Sequence, residues 1–338
     1  MIDLEINQRL IAIEMTLDNQ QKALDDLSEM VVKQGKIIDN LMAQNTMLKN
    51  MLSQDIVKPQ SEETPPPHYY RRNKMRVVIK PTYEDLSSWA ADYVVYRINK
   101  HRPTPKKPFV LGLPSGSTPL GMFNVLARYY KEGKISFENV IFFGTCEYVG
   151  VGAGDERGFQ YALWDKFLKF VNVKKEHVHF LNGLTTNFSK ECAAYEKALK
   201  DCGGANLFIG GVGEDGHIAL NEPYSSLNSR TRAKLLAPST LRANSRFFGN
   251  DVSKVPTVAL TIGIETMMEA EEVLILASGA KKAQAVQHAI EGYVSHVWPI
   301  TALQHHQHGI IACDKAATEQ LSQETVQYFD ELEKNNFS

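Results

Sequence analysis

From Met75 onward the chain alternates short β-rich runs with amphipathic stretches, and few architectures accommodate that rhythm. Residues 77–79, 109–113, 140–143, 177–181, 207–210, 257–262, 272–277 and 309–313 read as strands. Between them, residues 83–100, 120–131, 159–171 and 189–200 carry apolar positions at helical spacing. Strands that alternate with helices pair in parallel, because each crossover helix returns the chain to the same end of the sheet. The expectation is therefore an α/β domain over residues 75–338, a mostly parallel sheet flanked by helices, with ligands outside the carboxyl ends of the strands.

The segment before it follows another period. Ile6, Leu10, Ile13, Leu17, Gln20, Leu24, Leu27, Val31, Gln34, Ile38, Leu41, Asn45, Leu48 and Leu52 are spaced alternately by four and three, and all but Gln20, Gln34 and Asn45 are apolar. This predicts a coiled-coil helix over residues 1–54, whose seam a single helix cannot bury, so self-association follows. Pro59 and Pro65-Pro66-Pro67 among polar residues make 55–74 an extended linker. With its Pro65-Pro66-Pro67-His68-Tyr69 ending, residues 1–69 resemble the SlyX family, a likeness that implies no chemistry.

Charge and cysteine content narrow the remaining classes. A formal net charge of −2 over 338 residues gives no reason to expect nucleic acid, and the cluster Arg71, Arg72, Lys74 reads as solvated linker. Cys146, Cys192, Cys202 and Cys313 lack metal-type spacing, and the stretch between Cys192 and Cys202 reads as helical, so reduced thiols in a cytoplasmic protein are expected. The start Met1-Ile2-Asp3-Leu4-Glu5 has no signal-peptide pattern and no run reaches membrane-spanning length, so neither export nor a membrane partner is expected. His305, His306 and His308 have no completing ligand, so neither a metal nor a cofactor is expected.

The densest chemistry follows the 207–210 strand: Gly210-Gly211-Val212-Gly213-Glu214-Asp215-Gly216-His217-Ile218-Ala219-Leu220-Asn221-Glu222-Pro223. Asp215 and His217, two apart, can project to one side of an extended turn, and Glu222 can return to the imidazole if the next turn folds back. His217 is a candidate acid and base whose tautomer carboxylates would set. Leu113-Pro114-Ser115-Gly116-Ser117-Thr118-Pro119 lies between a strand and a helical run, where successive N–H groups can cradle a phosphate.

These two motifs, with Ser225-Ser226-Leu227-Asn228-Ser229-Arg230-Thr231-Arg232 and Ala243-Asn244-Ser245-Arg246-Phe247-Phe248-Gly249-Asn250-Asp251-Val252, resemble the glucosamine-6-phosphate deaminase family over residues 75 to about 333. The resemblance implies a Rossmann-like sandwich and the conversion of glucosamine 6-phosphate and water to fructose 6-phosphate and ammonia in amino-sugar catabolism, by an oligomeric enzyme classed as a hydrolase. It implies that Ser115, Gly116, Ser117, Thr118, Arg246 and Lys282 hold the sugar phosphate. His217 would move the ring-oxygen proton as the pyranose opens, tuned by Asp215 and Glu222. Ser225, Ser226, Arg232 and Lys234 match a second phosphate site for N-acetylglucosamine 6-phosphate. Family members commonly complete that site with the amino terminus of the first strand, and here Met75 is internal.

One position departs from the family. Where its members read Asn-Met-Asp-Glu-Tyr-Val-Gly, with the Asp as the base that moves a proton between C2 and C1, this chain reads Gly144-Thr145-Cys146-Glu147-Tyr148-Val149-Gly150. The next loop, Val151-Gly152-Ala153-Gly154-Asp155-Glu156-Arg157-Gly158-Phe159, replaces a pattern like Leu-Pro-Lys-Glu-His-Pro-Glu-Ser-Tyr. A thiol is a poor substitute for a carboxylate base, so impaired turnover is expected unless Glu147, Asp155 or Glu156 takes its place. The alternative is a non-catalytic sugar-phosphate sensor or scaffold. A 6-phosphogluconolactonase shares a Gly-x-Gly-x-Asp-Gly-His segment, but Asn221-Glu222-Pro223 and the block from Ser225 to Arg232 fit the deaminases.

Overall fold

The computed structural model of the chain describes residues 75–334. The coiled coil over 1–54 and the linker over 55–74 lie outside the described residues.

Seven strands form one parallel sheet in the order β1-β10-β9-β6-β2-β3-β5. They are β1 (Arg76–Lys80), β2 (Phe109–Leu113), β3 (Val140–Gly144), β5 (Val178–His179), β6 (Leu207–Gly211), β9 (Val273–Ala277) and β10 (Gly309–Asp314). After β2 the chain steps outward through β3 to β5, then crosses back to place β6 on the other side of β2. The topological switch point therefore lies between β2 and β6, where a doubly wound sheet opens a crevice at its carboxyl edge.

Both faces of the sheet are covered, and neighbouring residues alternate between two apolar layers. Phe142, Leu111 and Leu274 face the layer built with helices α1 (Tyr83–His101) and α2 (Leu120–Lys131), while Phe143, Val110 and Ile275 face the layer of α4 (Phe188–Asp201) and α7 (Ala283–Glu291). Strands buried on both sides must be apolar throughout, which is why these runs read as β-rich. Gly112 is required by close approach, since a Cβ there would sit 1.7 Å from the Phe208 ring on β6.

A second, antiparallel sheet, β4-β8-β7, was not legible as such. β4 (Cys146–Tyr148) follows β3 after one residue, β8 (Val258–Thr261) pairs with it, and β7 (Arg232–Leu235) completes the sheet. The 257–262 run is thus a strand outside the parallel sheet. The expected 159–171 helix stops as α3 (Phe159–Lys166), because Phe167 leaves helical geometry to stack on Phe123 at 4.9 Å and meet Phe137 and Phe142 edge-on. The expected 177–181 strand shrinks to β5. The remaining helices are α5 (Pro238–Asn244), α6 (Ile264–Met268) and α8 (Gln323–Lys334). Among the described residues, no helix is long and apolar enough to cross a membrane.

Candidate active site

Four neighbouring strands deliver the candidate residues to one edge. In spatial order, β9 leads to Lys282, β6 to Asp215 and His217, β2 to the turn at 115–118, and β3 to Cys146. Parallel pairing brings together segments far apart in the chain.

The turn after β2 leaves its donors free. Among the described residues, no backbone N–H of Ser115, Gly116, Ser117 or Thr118 has a protein acceptor. Its exit is fastened instead by Tyr83 on α1, whose hydroxyl donates to the Thr118 carbonyl at 2.9 Å and accepts the Gly121 N–H at 2.8 Å. Sequence reasoning missed Tyr83, since no local pattern links it to a turn beyond the next strand.

After β6 the chain folds tightly. Gly213 donates to the His217 carbonyl at 2.9 Å, and Gly216 adopts a left-handed φ of 79° with a Cβ position 2.6 Å from the Trp298 ring. This hairpin holds His217 Nδ1 2.6 Å from Asp215 Oδ1, with the ring 31% exposed and so open to a ligand. Burial raises the Asp215 carboxyl, but the hydrogen bonds and charge of His217 outweigh it and leave it below its ordinary value. The ionised carboxylate only accepts, so Nδ1 is the protonated nitrogen that faces it and, in the neutral tautomer this selects, Nε2 carries the lone pair.

Glu222 does not return to the imidazole, which corrects the expectation from spacing. The chain turns at Ile218 and Asn221, with Ala219 at a φ of 51°, and carries Glu222 beneath β7 and α5. There it accepts hydrogen bonds from the Thr240 hydroxyl and the Ala237 N–H and lies 3.4 Å from Lys234 Nζ. Lys234 is thereby occupied within the chain. Arg232, two residues away on the same strand, has its guanidinium pulled below its ordinary value by burial, with the nearby Cys192 opposing, and the Ser225 hydroxyl is buried without a hydrogen-bond partner among the described residues. Ser226 is exposed and accepts from the Asn228 N–H at 3.3 Å.

Arg246 sits on a 3₁₀ turn (Ser245–Phe248) and lies over the Phe247 ring at 4.7 Å. Among the described residues neither Arg246 nor Lys282 belongs to an ion pair. Burial lowers the Lys282 ammonium below its ordinary value, Arg246 and Lys281 push it the same way, and Glu214 and Asp215 oppose. Two cations that lack an ion-pair partner among the described residues, Lys282 on the same sheet edge as the donor-rich turn and Arg246 near enough to Lys282 to repel it, suit an anionic ester.

Cys146 is 6% exposed, and its thiol is pushed up to about 12 by burial, with the Glu147 charge adding and the Thr145 hydroxyl, 3.8 Å away, opposing. Essentially no thiolate forms at neutral pH. Glu147, its neighbour on an extended strand, points elsewhere and accepts the N–H groups of Tyr148, Phe159 and Gln160 at 2.9, 3.0 and 2.8 Å. Asp155 is held by Arg157 at 2.8 and 2.6 Å, and Glu156 is exposed. Arg157 in turn lies over Phe248 at 5.6 Å, so the divergent loop packs on the turn that carries Arg246.

His305, His306 and His308 lie on the opposite edge, with Arg97, Glu271 and Glu272 at the amino ends of β9 and β10. Among the described residues, no His, Cys, Asp and Glu cluster could hold a metal ion.

The fold and its switch point define a doubly wound α/β protein with an anion-compatible turn beside a carboxylate-held imidazole. The chain belongs to the family of glucosamine-6-phosphate isomerases and 6-phosphogluconolactonases, whose model matches residues 81–312. It is 53% identical to a glucosamine-6-phosphate deaminase of Phocaeicola vulgatus over 262 residues, 78% of this chain and 100% of the relative. A deaminase of Treponema denticola is 51% identical over 262 residues, 78% of this chain and 97% of the relative. Among solved structures, a monomeric glucosamine-6-phosphate deaminase superposes with a TM-score of 0.68 at 33% identity, covering 72% of this chain and 98% of that one. A 6-phosphogluconolactonase from Trypanosoma cruzi shares the fold, with a TM-score of 0.58 at 18% identity over 74% of this chain and 97% of that one. Residues 6–69 match the SlyX family model.

These relatives correct one expectation. They are named glucosamine-6-phosphate deaminases, and the family description pairs glucosamine-6-phosphate isomerases with 6-phosphogluconolactonases, so the hydrolase class expected from the sequence conflicts with the deaminase and isomerase reaction of these relatives.

Proposed function

We propose that the chain binds glucosamine 6-phosphate across the carboxyl ends of β9, β6 and β2, and that it derives from the reaction giving fructose 6-phosphate and ammonia, slowed at the carbon proton transfer. The observation that carries this reading is the Asp215–His217 pair, set between the Lys282 segment and the donor-rich turn. The named activity of relatives about half identical to the chain supports the substrate. The N–H groups of residues 115–118, with Arg246 and Lys282, hold the phosphate. His217 Nε2 takes the proton of the anomeric hydroxyl and returns it to the ring oxygen as the sugar opens, while Asp215 holds the tautomer.

Cys146 then stands where a base must take the C2 proton. A buried, protonated thiol cannot accept a proton, and losing a general base costs about 10²- to 10⁴-fold. An effector such as N-acetylglucosamine 6-phosphate would meet Ser225, Ser226 and Arg232, with Lys234 available only if it leaves Glu222.

The test is ammonia and fructose 6-phosphate production by the full chain given glucosamine 6-phosphate, with and without N-acetylglucosamine 6-phosphate, beside Cys146→Asp. Tight substrate binding with slow release, accelerated in Cys146→Asp, is expected. Release at ordinary enzyme rates by the unaltered chain would overturn the slowed step, and no binding at all would overturn the substrate.

A further inference from the structure

We propose that Tyr83 is a positioning residue for the phosphate, acting through the backbone of the turn after β2; this rests on the reading of residues 115–118 as the phosphate cradle. A cradle built from main-chain N–H groups works best if those groups are set before the ligand arrives, and within this turn the main chain supplies one tie, the Leu120 N–H to the Ser117 carbonyl at 3.2 Å. The turn ends at α2, whose N-cap is Pro119, a residue with no side chain able to accept a hydrogen bond. Its second helical N–H, from Gly121, has no other acceptor among the described residues.

The Tyr83 hydroxyl supplies what Pro119 lacks. It accepts the Gly121 N–H at 2.8 Å and donates to the Thr118 carbonyl at 2.9 Å, so a single atom spans the last residue of the cradle and the first turn of the helix. Gly121 lets α1 come this near, since a Cβ there would lie 2.2 Å from the Ser87 hydroxyl oxygen and 3.0 Å from that of Tyr83. Tyr83 is itself fixed at the first position of α1, where the Thr82 side chain accepts the Asp85 N–H. Its ring need never touch the ligand. With the hydroxyl gone, the Thr118 carbonyl and the Gly121 N–H are released together and the backbone that carries the donors of 115–118 loses its tie to α1.

The experiment titrates the full chain and Tyr83→Phe with glucosamine 6-phosphate and, separately, with inorganic phosphate. The control is Tyr129→Phe, which removes the 2.8 Å bond from Tyr129 to Asp92 between the same two helices, away from the turn. Tyr83→Phe is expected to weaken both ligands by about tenfold, the equivalent of one ordinary hydrogen bond's worth of order, and to speed amide exchange at residues 115–121. Tyr129→Phe is expected to lower Tm comparably while leaving both affinities unchanged. Unchanged affinities in Tyr83→Phe overturn the positioning role while the substrate reading stands, and so does a loss for the sugar ester without a loss for inorganic phosphate. If the unaltered chain binds neither ligand, the phosphate reading fails and this proposal falls with it.

Discussion

Asp215 Oδ1 accepts from the His217 ring at 2.6 Å and from the His217 main-chain N–H at 3.2 Å, so one oxygen fixes both the imidazole and the backbone that carries it. Asp215→Asn keeps the shape but can offer an amide N–H, which favours the opposite tautomer and puts the Nε2 lone pair out of use. Ammonia release measured in a Cys146→Asp background should fall by about 10²- to 10⁴-fold. Because the folded carboxyl lies below its ordinary value, its stabilisation is present above the unfolded pKa of about 3.9 and is lost as pH falls through the folded value. Asp215→Asn should flatten that acid limb in thermal melts.

Gly213 is the second requirement of the same pair. A Cβ at this position would lie 2.1 Å from His217 Nδ1 and 2.6 Å from Asp215 Oδ1, closer than any side chain tolerates. Gly213→Ala should therefore push the imidazole off the carboxylate while the sheet beneath survives. The expected result is a Tm lowered by a few degrees and an activity loss in the Cys146→Asp background as large as that of Asp215→Asn. Activity within about threefold of the parent would show that the ring is not held where it must be.

The parallel sheet was legible because strands buried on both faces must be apolar and must alternate with helices, as Phe142 and Phe143 illustrate by serving opposite layers. The antiparallel sheet was not. β4 spans three residues and β7 carries two cations in four, so neither stands out from loop by composition. At the site, Asp215 and His217 were legible because they are two apart on one turn. Glu222 misled because spacing cannot foresee Thr240 and Lys234, which reach it from another sheet and helix, and the Tyr83 hydroxyl is equally remote from its partners.

Glu147 has a structural task that excludes it as a replacement base. Its carboxylate accepts three N–H groups, two of them opening α3. Glu147→Ala leaves these donors without acceptors and should cost about 1–3 kcal/mol in denaturant melts, without removing residual ammonia release by the unaltered chain. Burial raises this carboxyl, although its three backbone bonds pull it back. A raised folded value means its contribution is full below the unfolded pKa of about 4.3 and declines as pH rises through the folded one. The gap between the two proteins should narrow from pH 4 toward pH 8.

Lys282 inverts that relation between stability and function. Its ammonium is penalised by burial and repelled by Arg246 and Lys281, and the attraction of Glu214 and Asp215 does not make up the difference. Lys282→Met should leave the ligand-free protein as stable or more so, while weakening glucosamine 6-phosphate by at least about tenfold. With the folded value below the unfolded one of about 10.4, the unfolded chain binds more protons between them, so the parent's stability rises with pH across that window and the variant's does not. A bound phosphate dianion supplies the missing countercharge and reverses the shift, so above the ligand-free pKa of Lys282 binding must take up a proton. Calorimetry at alkaline pH in two buffers of different ionisation enthalpy should detect that uptake in the parent and its loss in Lys282→Met; equal proton uptake in the two would place the phosphate away from this ammonium.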